Sequence, residues 1–193
     1  MPDATELCST TNLKVMLGIT SGSGSDAMLA LIKAQIEAWV KTYCGREFLV
    51  ASYTEYHDGY GDNQVRTLQR PIVSVTSVYS DPSRLFEAAS LIPAADIIGD
   101  SRSYVLGYIE LLTYRFLKGL KSTKIVYSAG YSTIPSDLSG AVMKIICHQF
   151  KISSKQLYAE VTHHVGDMDI TLNTDTWPKD AMEIVHGYRR MDF

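Results

Sequence analysis

The stretch Ile125-Val126-Tyr127-Ser128-Ala129-Gly130-Tyr131, followed by Ile134-Pro135-Ser136-Asp137-Leu138, decides the fold because its structural period changes along its length. Its first half predicts the end of a strand, and Gly130 is suited to a turn. Pro135 is typical of a helix start, and apolar residues then recur at helical spacing. The predicted apolar face of this helix consists of Leu138, Ala141, Val142, Ile145, Ile146 and Phe150.

A second long helix is predicted upstream, from Ser25-Asp26 to Gly45. Serine and aspartate favour a helix start, and glycine commonly ends a helix. We expect this helix to pack against the one that follows Pro135, through a stripe of residues spaced by three and four. The stripe is Leu29, Ile32, Ile36, Trp39, Val40 and Tyr43, and Lys33, Gln35, Glu37 and Lys41 are expected to lie largely off it.

A short helix is predicted before this one. Leu13, Met16 and Leu17 share a helical face, behind candidate caps at residues 9–11 and ahead of Gly18. The Ser/Gly stretch at residues 20–25 then predicts a flexible loop between the two helices.

Residues 48–131 change to period two and to β-branched and aromatic side chains, which predicts strands joined by turns. The segment 57–63 is rich in turn-forming residues and predicts a hairpin between the first two strands. Asp81-Pro82-Ser83 predicts a second turn. The candidate strands are Leu49 to Tyr56, Gln64 to Leu68, Ile72 to Tyr79, Tyr104 to Leu112 and Lys124 to Tyr127.

The carboxy-terminal part is polar and weakly patterned up to residue 176, apart from an alternating stretch, 165–172, that could be an edge strand or an ordered arm. After Trp177-Pro178 a last short helix is expected. The whole pattern predicts an α+β fold with a small helical core and an inserted antiparallel β region. We expect a single domain over residues 1–193, made of N-terminal helices at 8–45, a β-rich insertion at 48–131, a core helix at 135–152 and a C-terminal arm and helix at 153–193.

Composition excludes several classes of protein. The formal net charge is −3 and the sequence pI is about 5.9, so the chain lacks the bulk attraction that non-specific DNA binders have for phosphate. No apolar run is long enough to cross a bilayer, and the amino terminus lacks a signal-peptide pattern, so we expect no membrane association. Cys8, Cys44 and Cys147 are odd in number and widely spaced, which predicts free thiols.

Candidate chemical groups are few. His163 and His164 with Asp167 and Asp169 could bind a divalent metal, but adjacent residues of an extended chain point to opposite faces, so a solvated polar arm is favoured. A small metal-dependent enzyme built on these four residues stays open as the less favoured alternative.

The other candidates have simpler interpretations. Asp58, Asp62 and Asn63 lack the ligand spacing of an EF-hand and favour a turn. Cys147 and His148 diverge on a helix and cannot form a nucleophile-base pair with each other. Residues 21–25 lack a phosphate-loop signature. The sequence therefore predicts no catalytic, metal or cofactor site.

The order of several strings resembles the head-tail connector family of tailed bacteriophages, also called head-completion or adaptor proteins. The match runs from about Leu13 to Arg190. The strings are Tyr43-Cys44-Gly45-Arg46-Glu47-Phe48, Tyr53-Thr54-Glu55-Tyr56-His57-Asp58-Gly59, Arg70-Pro71-Ile72-Val73-Ser74-Val75-Thr76-Ser77-Val78-Tyr79, the opening stretch above, and the ending from Trp177-Pro178 to Tyr188-Arg189-Arg190.

The resemblance implies a non-enzymatic structural subunit of the virion neck, made in the bacterial cytoplasm. Copies would form a homo-oligomeric ring, roughly twelvefold when assembled. The ring would join the portal protein of the DNA-filled head to a stopper or tail-completion protein, and DNA would pass through its channel without specific binding. A stopper or tail-terminator protein of the same neck is the alternative within this class.

The carboxy-terminal segment is the predicted partner interface. It carries large apolar groups near a chain end, where tails fray unless they dock. Docking on the same subunit and docking on a partner are equally compatible with the sequence. The candidate interface residues are Trp177, Ile184, Tyr188, Arg189, Arg190 and Phe193.

Overall fold

The computed structural model describes residues 6–19, 25–154 and 177–190, together with the backbone of two strands at 161–165 and 168–172. The chain divides into two compact units: a helical unit, Met1–Arg46 with Ile134–Phe193, and a β unit, Glu47–Thr133. The helices are α1 Thr10–Leu17, α2 Asp26–Cys44, α3 Ser101–Leu106, α4 Ser136–Ser154 and α5 Lys179–Gly187. The strands are β1 Ala51–Gly59, β2 Gln64–Arg66, β3 Ile72–Ser80, β4 Ile97–Ile98, β5 Tyr108–Leu111, β6 Gly119–Ala129, β7 Val161–Val165 and β8 Met168–Leu172.

The helical unit is organised around α4, which contacts α1, α2 and α5. The predicted helix ends are confirmed, because Gly18 and Gly45 adopt left-handed conformations, with φ of 66° and 63°, and end α1 and α2. The predicted packing of α2 against α4 is also confirmed. The buried core of the helical unit includes Leu13, Leu29, Ile36, Val40, Leu138, Val142, Ile145, Ile146, Ala181 and Val185.

Two details of the start and flank of α2 differ from the prediction. Ser25 occupies the N-cap position, but its side chain makes no cap hydrogen bond. Lys33 was expected off the buried stripe, and that prediction is wrong, since the residue is only 5 % exposed. Its ammonium lies 2.6 Å from the Glu6 carboxylate and 3.2 Å from the Thr10 hydroxyl. The amino-terminal segment supplies these partners, and a buried cation requires such pairing.

The β unit contains two antiparallel sheets. β6 is central to the first sheet, in the order β1-β6-β3, and β5 is central to the second, in the order β2-β5-β4. In the first sheet Glu55 lies opposite Ile125, and Ile125 lies opposite Val78 on the other side. Alternate residues of the central strands point into one core. That core consists of Ile72, Val78, Ile92, Ile109, Leu111, Phe116, Ile125, Tyr127 and Ala129.

Three strand predictions need correction. β1 and β2 do not form a hairpin, because β1 pairs with β6 and β2 with β5, so residues 60–63 connect the two sheets. The predicted strand from Tyr104 to Leu112 is wrong in its first half, which is α3. Gly107, with φ of 83°, ends this helix before β5 begins. β6 is longer than predicted and begins at Gly119.

The alternating stretch 165–172, for which an edge strand or an ordered arm was expected, belongs to two paired strands. β7 and β8 form an antiparallel pair in which Val165 lies opposite Met168, so residues 166–167 connect the two strands. The side chains of this pair lie outside the described residues. Among the helices that are described, none combines the length and hydropathy that a membrane span requires.

Candidate functional site

The predicted interface segment begins with α5, which forms part of the helical core. Ala181 and Val185 are fully buried, and Pro178 precedes the first turn of the helix, where its missing N–H leaves no bond unmade. Beyond the helix, the Arg190 N–H donates to the Cys44 carbonyl at 2.8 Å. The described part of the segment, residues 177–190, is therefore packed on the body of the helical unit.

An aromatic cluster connects α5 to α2. The Trp177 ring meets the Trp39 ring edge-on, with centroids 4.2 Å apart, and Trp39 stacks on Tyr43 at 4.8 Å. The Tyr43 hydroxyl lies 3.0 Å from His186 Nδ1, and the Arg189 guanidinium lies 5.5 Å from the Tyr43 ring centroid. Such ring pairs and cation–π contacts each contribute about 0.5–1.5 kcal/mol. The cluster therefore fixes the start and the end of α5 against α2.

Polar contacts attach α5 to α4 as well. The Tyr188 hydroxyl lies 2.9 Å from both oxygens of Asp137, and the Lys144 ammonium donates to Asp180 at 2.6 Å. The hydrogen bond from Lys144 holds the pKa of Asp180 below its usual range. Both side chains of this ion pair are at least half exposed, so it contributes little to stability.

The predicted interface residues differ in how far they are exposed to solvent. Trp177, Ile184, Tyr188 and Arg190 are partly buried, whereas Arg189 is exposed. Trp177 and Tyr188 contact side chains of their own subunit, which is one of the two outcomes that the sequence left open. Phe193 lies outside the described residues.

The next residues to place are the candidate metal ligands and the acidic turn residues. Across the described ranges, no three His, Cys, Asp or Glu side chains are placed to hold a metal ion. The register pairs His164 with Asp169 and His163 with Ile170, but these side chains, and Asp167, lie outside the described residues. The Asp58 carboxylate accepts the Lys121 N–H at 2.7 Å, as a turn residue does.

All three cysteines are buried free thiols, which confirms that prediction. Burial raises the pKa of the Cys8 thiol to about 12, with a further contribution from the Glu37 carboxylate, and raises the pKa of the Cys44 thiol to about 11. Thiols with such pKa values are poor nucleophiles at neutral pH. They are therefore core residues in the described structure.

A buried polar network in the β unit was not predicted. Glu55 accepts hydrogen bonds from the Tyr127 hydroxyl and from the Leu68 N–H, and His57 Nε2 lies 2.8 Å from its second oxygen. The Gln69 N–H donates to the Tyr127 oxygen at 3.1 Å. Burial alone would raise the pKa of Glu55, but these hydrogen bonds together hold it below its ordinary value. The carboxylate is fully engaged, so the network fixes the 67–70 connection and leaves no free base.

An open cleft of about 490 Å³ lies on the β unit beside this network. Its lining carries charges of both signs, from Asp58, Asp62, Arg66 and Lys121. The Asp58 carboxylate accepts the Lys121 backbone N–H and is therefore engaged in holding the adjoining loop. The arrangement of the cleft is that of a surface groove between loops.

Comparison with known proteins gives one family match and several similar solved structures. The family model for the head completion protein matches residues 6–191. No curated protein matches the sequence. Among solved structures, a chain in the neck of a native GTA particle, computed with C12 symmetry, is similar, with a TM-score of 0.57 at 16% identity. The alignment covers 100% of this chain and 93% of that one.

Two further solved chains are similar. One lies in the neck of an empty GTA particle, computed with C6 symmetry, with a TM-score of 0.55 at 16% identity, and the alignment covers 95% of this chain and 89% of that one. The other belongs to the virion of a native gene transfer agent (GTA) particle, with a TM-score of 0.55 at 15% identity and the same coverage. At these identities the likeness establishes the fold, and the family match over residues 6–191 establishes that this chain belongs to the head completion protein family.

Proposed function

We propose that this protein is a structural subunit of a ring in the neck of a tailed-phage or phage-like particle. The family match over residues 6–191 carries this proposal, and the fold shared with chains of particle necks supports it. As a head completion protein it acts through shape and contact surfaces. The described buried carboxylate and thiols have structural roles.

The finer part of the proposal concerns partners. One face of the ring would bind the portal of the DNA-filled head, the other face would bind a stopper or tail-completion protein, and the ring would extend the DNA channel. The symmetry of the similar necks, C6 and C12, agrees with a ring of roughly twelve copies closed by one repeated contact.

We place portal binding on the carboxy-terminal segment. Arg189 is its exposed cation, held above the Tyr43 ring, and Trp177, Ile184, Tyr188 and Arg190 lie partly buried beside it. A rim charge of this kind affects the rate of association and its salt dependence more than it affects folding. Removing the segment would be a poor test, because it would uncover the core that Ala181 and Val185 complete.

The test is genetic complementation with a matched control. Particles made without this gene should accumulate as DNA-filled heads separate from tails, and purified wild-type protein should join them. Arg189→Glu should lower the yield of joined particles roughly tenfold at physiological salt. Arg102→Glu, the same charge reversal on the exposed surface of α3, should join particles as the wild type does.

Electron microscopy counts joined and separate particles in each case. Normal particles in the absence of the gene would overturn the neck role itself. Equal yields with Arg189→Glu and Arg102→Glu would leave the neck role standing and overturn the assignment of portal binding to this segment.

A further inference from the structure

The segment before α1 covers a pair of opposite charges on α2. We call its residues Glu6, Leu7 and Cys8 the amino-terminal strap, and they lie outside every described helix and strand. The Lys33 ammonium lies 2.6 Å from the Glu6 carboxylate and 3.9 Å from Glu37 Oε1. The Lys33 and Glu37 side chains are only 6% and 13% exposed. Three charges, with a formal sum of −1, therefore meet between the strap and α2.

The backbone of the strap is attached through a side chain of α2. The Leu7 and Cys8 N–H groups both donate to Glu37 Oε1, at 3.0 and 3.3 Å, and the Cys8 thiol donates to the same oxygen at 3.7 Å. Within the described ranges, the strap makes no backbone–backbone hydrogen bond. Its attachment therefore depends on the charged groups of α2 and on the packing of two side chains.

The apolar part of this attachment is small. Leu7 and Cys8 are buried, at 1% and 2% exposure, whereas α4 alone buries eight residues in the helical core. Segments with few buried apolar contacts open at a lower free energy than the whole domain unfolds. The strap meets this condition, and the helices below it do not.

The charges of α2 can be satisfied with the strap closed or open. Lys33 and Glu37 are four residues apart on one helix, so they remain neighbours on its surface when the strap is away, and water can replace the strap N–H groups. Burying an ion pair brings little net stabilisation, because loss of hydration offsets the attraction. Burial also raises the pKa of Glu37, although Lys33 and the two N–H groups act to lower it. The ionised Glu37 therefore opposes closure, and Lys33 favours it.

We propose that the amino-terminal strap opens and closes on α2 as a unit while the helical core stays folded, and that Lys33 is the residue that holds it closed. Opening uncovers Lys33 and Glu37, so the helical unit has two states that present different surfaces at this part of α2. The proposal concerns the single chain and does not rest on the neck role.

Two native cysteines report on the two kinds of opening. Cys8 lies on the strap, whereas Cys44 is fully buried in the helical core, where its thiol donates to the Val185 carbonyl at 3.5 Å. A buried thiol reacts only from states in which it is exposed, so its labelling rate, divided by its rate in urea, measures how often it opens.

The experiment labels the purified full-length protein with excess iodoacetamide at pH 8 and follows each cysteine peptide by mass spectrometry. Cys8 should react roughly a hundredfold or more slower than in urea, because the strap is mostly closed. It should nevertheless react at least about tenfold faster than Cys44, because the strap opens without the core. Equal relative rates at Cys8 and Cys44 would overturn the proposal, and so would a Cys8 rate equal to that in urea.

Substitution of Lys33 tests what holds the strap. Lys33→Met leaves Glu6 and Glu37 without their shared cation, so Cys8 labelling should accelerate about tenfold or more while the Cys44 rate stays unchanged. The matched control is Lys41→Met, the same replacement later in α2, which should change neither rate. Equal acceleration at both cysteines in Lys33→Met would show opening of the whole unit and would contradict the proposal.

The two carboxylates give opposite expectations. Glu37→Gln keeps an oxygen that can accept the strap N–H groups but removes the buried negative charge, so it should slow Cys8 labelling about threefold or more. Glu6→Gln removes the partner at 2.6 Å and should accelerate labelling. Glu6→Gln also serves if Lys33→Met fails to fold, since it alters only the strap. Unchanged Cys8 rates in Glu37→Gln and Glu6→Gln would mean that apolar packing alone holds the strap and would refute the role of the charges.

Discussion

The Tyr127→Phe substitution is expected to destabilise the β unit through one buried hydroxyl. Tyr127 is fully buried on the central strand β6 and donates to the Glu55 carboxylate while it accepts the Gln69 N–H. Phenylalanine keeps the ring and its contacts in the core. It leaves Glu55 with the Leu68 N–H and His57 as partners, and it leaves the Gln69 N–H without its acceptor.

The magnitude follows from the charge and burial of the acceptor. A hydrogen bond to a charged group contributes about 1.5–3 kcal/mol, and Glu55 is 9 % exposed, so water replaces the hydroxyl poorly. We expect the free energy of unfolding to fall by about 2 kcal/mol. For a chain of this size the melting temperature should fall by about 4–8 °C.

Urea unfolding followed by circular dichroism measures this change. Tyr60→Phe is the matched control, because its side chain is 71% exposed and its hydroxyl removal should change the free energy of unfolding by less than about 0.5 kcal/mol. If Tyr127→Phe were as stable as Tyr60→Phe, the view that this network holds the 67–70 connection in place would be wrong.

The pH dependence of the same pair adds a second check. Because folding holds the pKa of Glu55 below its ordinary value, the ionised carboxylate stabilises the fold at neutral pH, and this contribution is lost as the pH falls through the folded-state pKa. Tyr127→Phe removes one of the hydrogen bonds that lower this pKa. The difference in stability between wild type and Tyr127→Phe should therefore shrink on acidification, and a constant difference would contradict this reasoning.

Two further predictions concern the core and a turn. Native protein at pH 8 should resist iodoacetamide at Cys8 and Cys44, whose pKa values burial raises to about 12 and about 11, and both should react in urea, as intact-mass measurement would detect. Rapid native labelling would contradict their burial. Gly130→Ala should cost about 2 kcal/mol or more, since Gly130 has φ of 125° and its Cβ would lie 2.4 Å from the Leu49 carbonyl oxygen. Gly140→Ala, in open space on α4, should instead stabilise by about 0.5–1 kcal/mol, and equal effects at both positions would refute this account.

The long helices could be predicted because their signals are local. The apolar stripe of α2 recurs along a helix of nineteen residues, and Gly18 and Gly45 end α1 and α2 where the sequence placed their ends. The strand pairing could not be predicted in this way. Turn-forming residues at 57–63 show that the chain changes direction, but they do not show that Glu55 pairs with Ile125, seventy residues later. α3, with six residues, is too short for its period to be recognised.

The packing of the carboxy-terminal segment within its own subunit could be predicted only in part. Large apolar residues near a chain end indicate docking, and Trp177 indeed docks, but on Trp39 of its own subunit. Whether such a residue faces a core or a partner depends on which helices lie beside it, and this is a tertiary property. The exposed Arg189 stays a prediction for portal binding.

The conformations of two turns could not be recognised from their acidic residues. In the sequence, Asp58 suggested a turn or a cation ligand, and Asp81 suggested a turn, and neither indicated an exposed patch. In the structure their carboxylates accept backbone N–H groups and hold Arg84, Phe86 and Lys121 at positive φ, a conformation for which these residue types give no sequence signal.

This use of the carboxylates also determines the character of the surface. The Asp81 carboxylate accepts the N–H groups of Leu85 and Phe86, and the Asp58 carboxylate accepts the Lys121 N–H, so these turns are fixed while the Leu85 and Lys121 side chains are exposed to solvent.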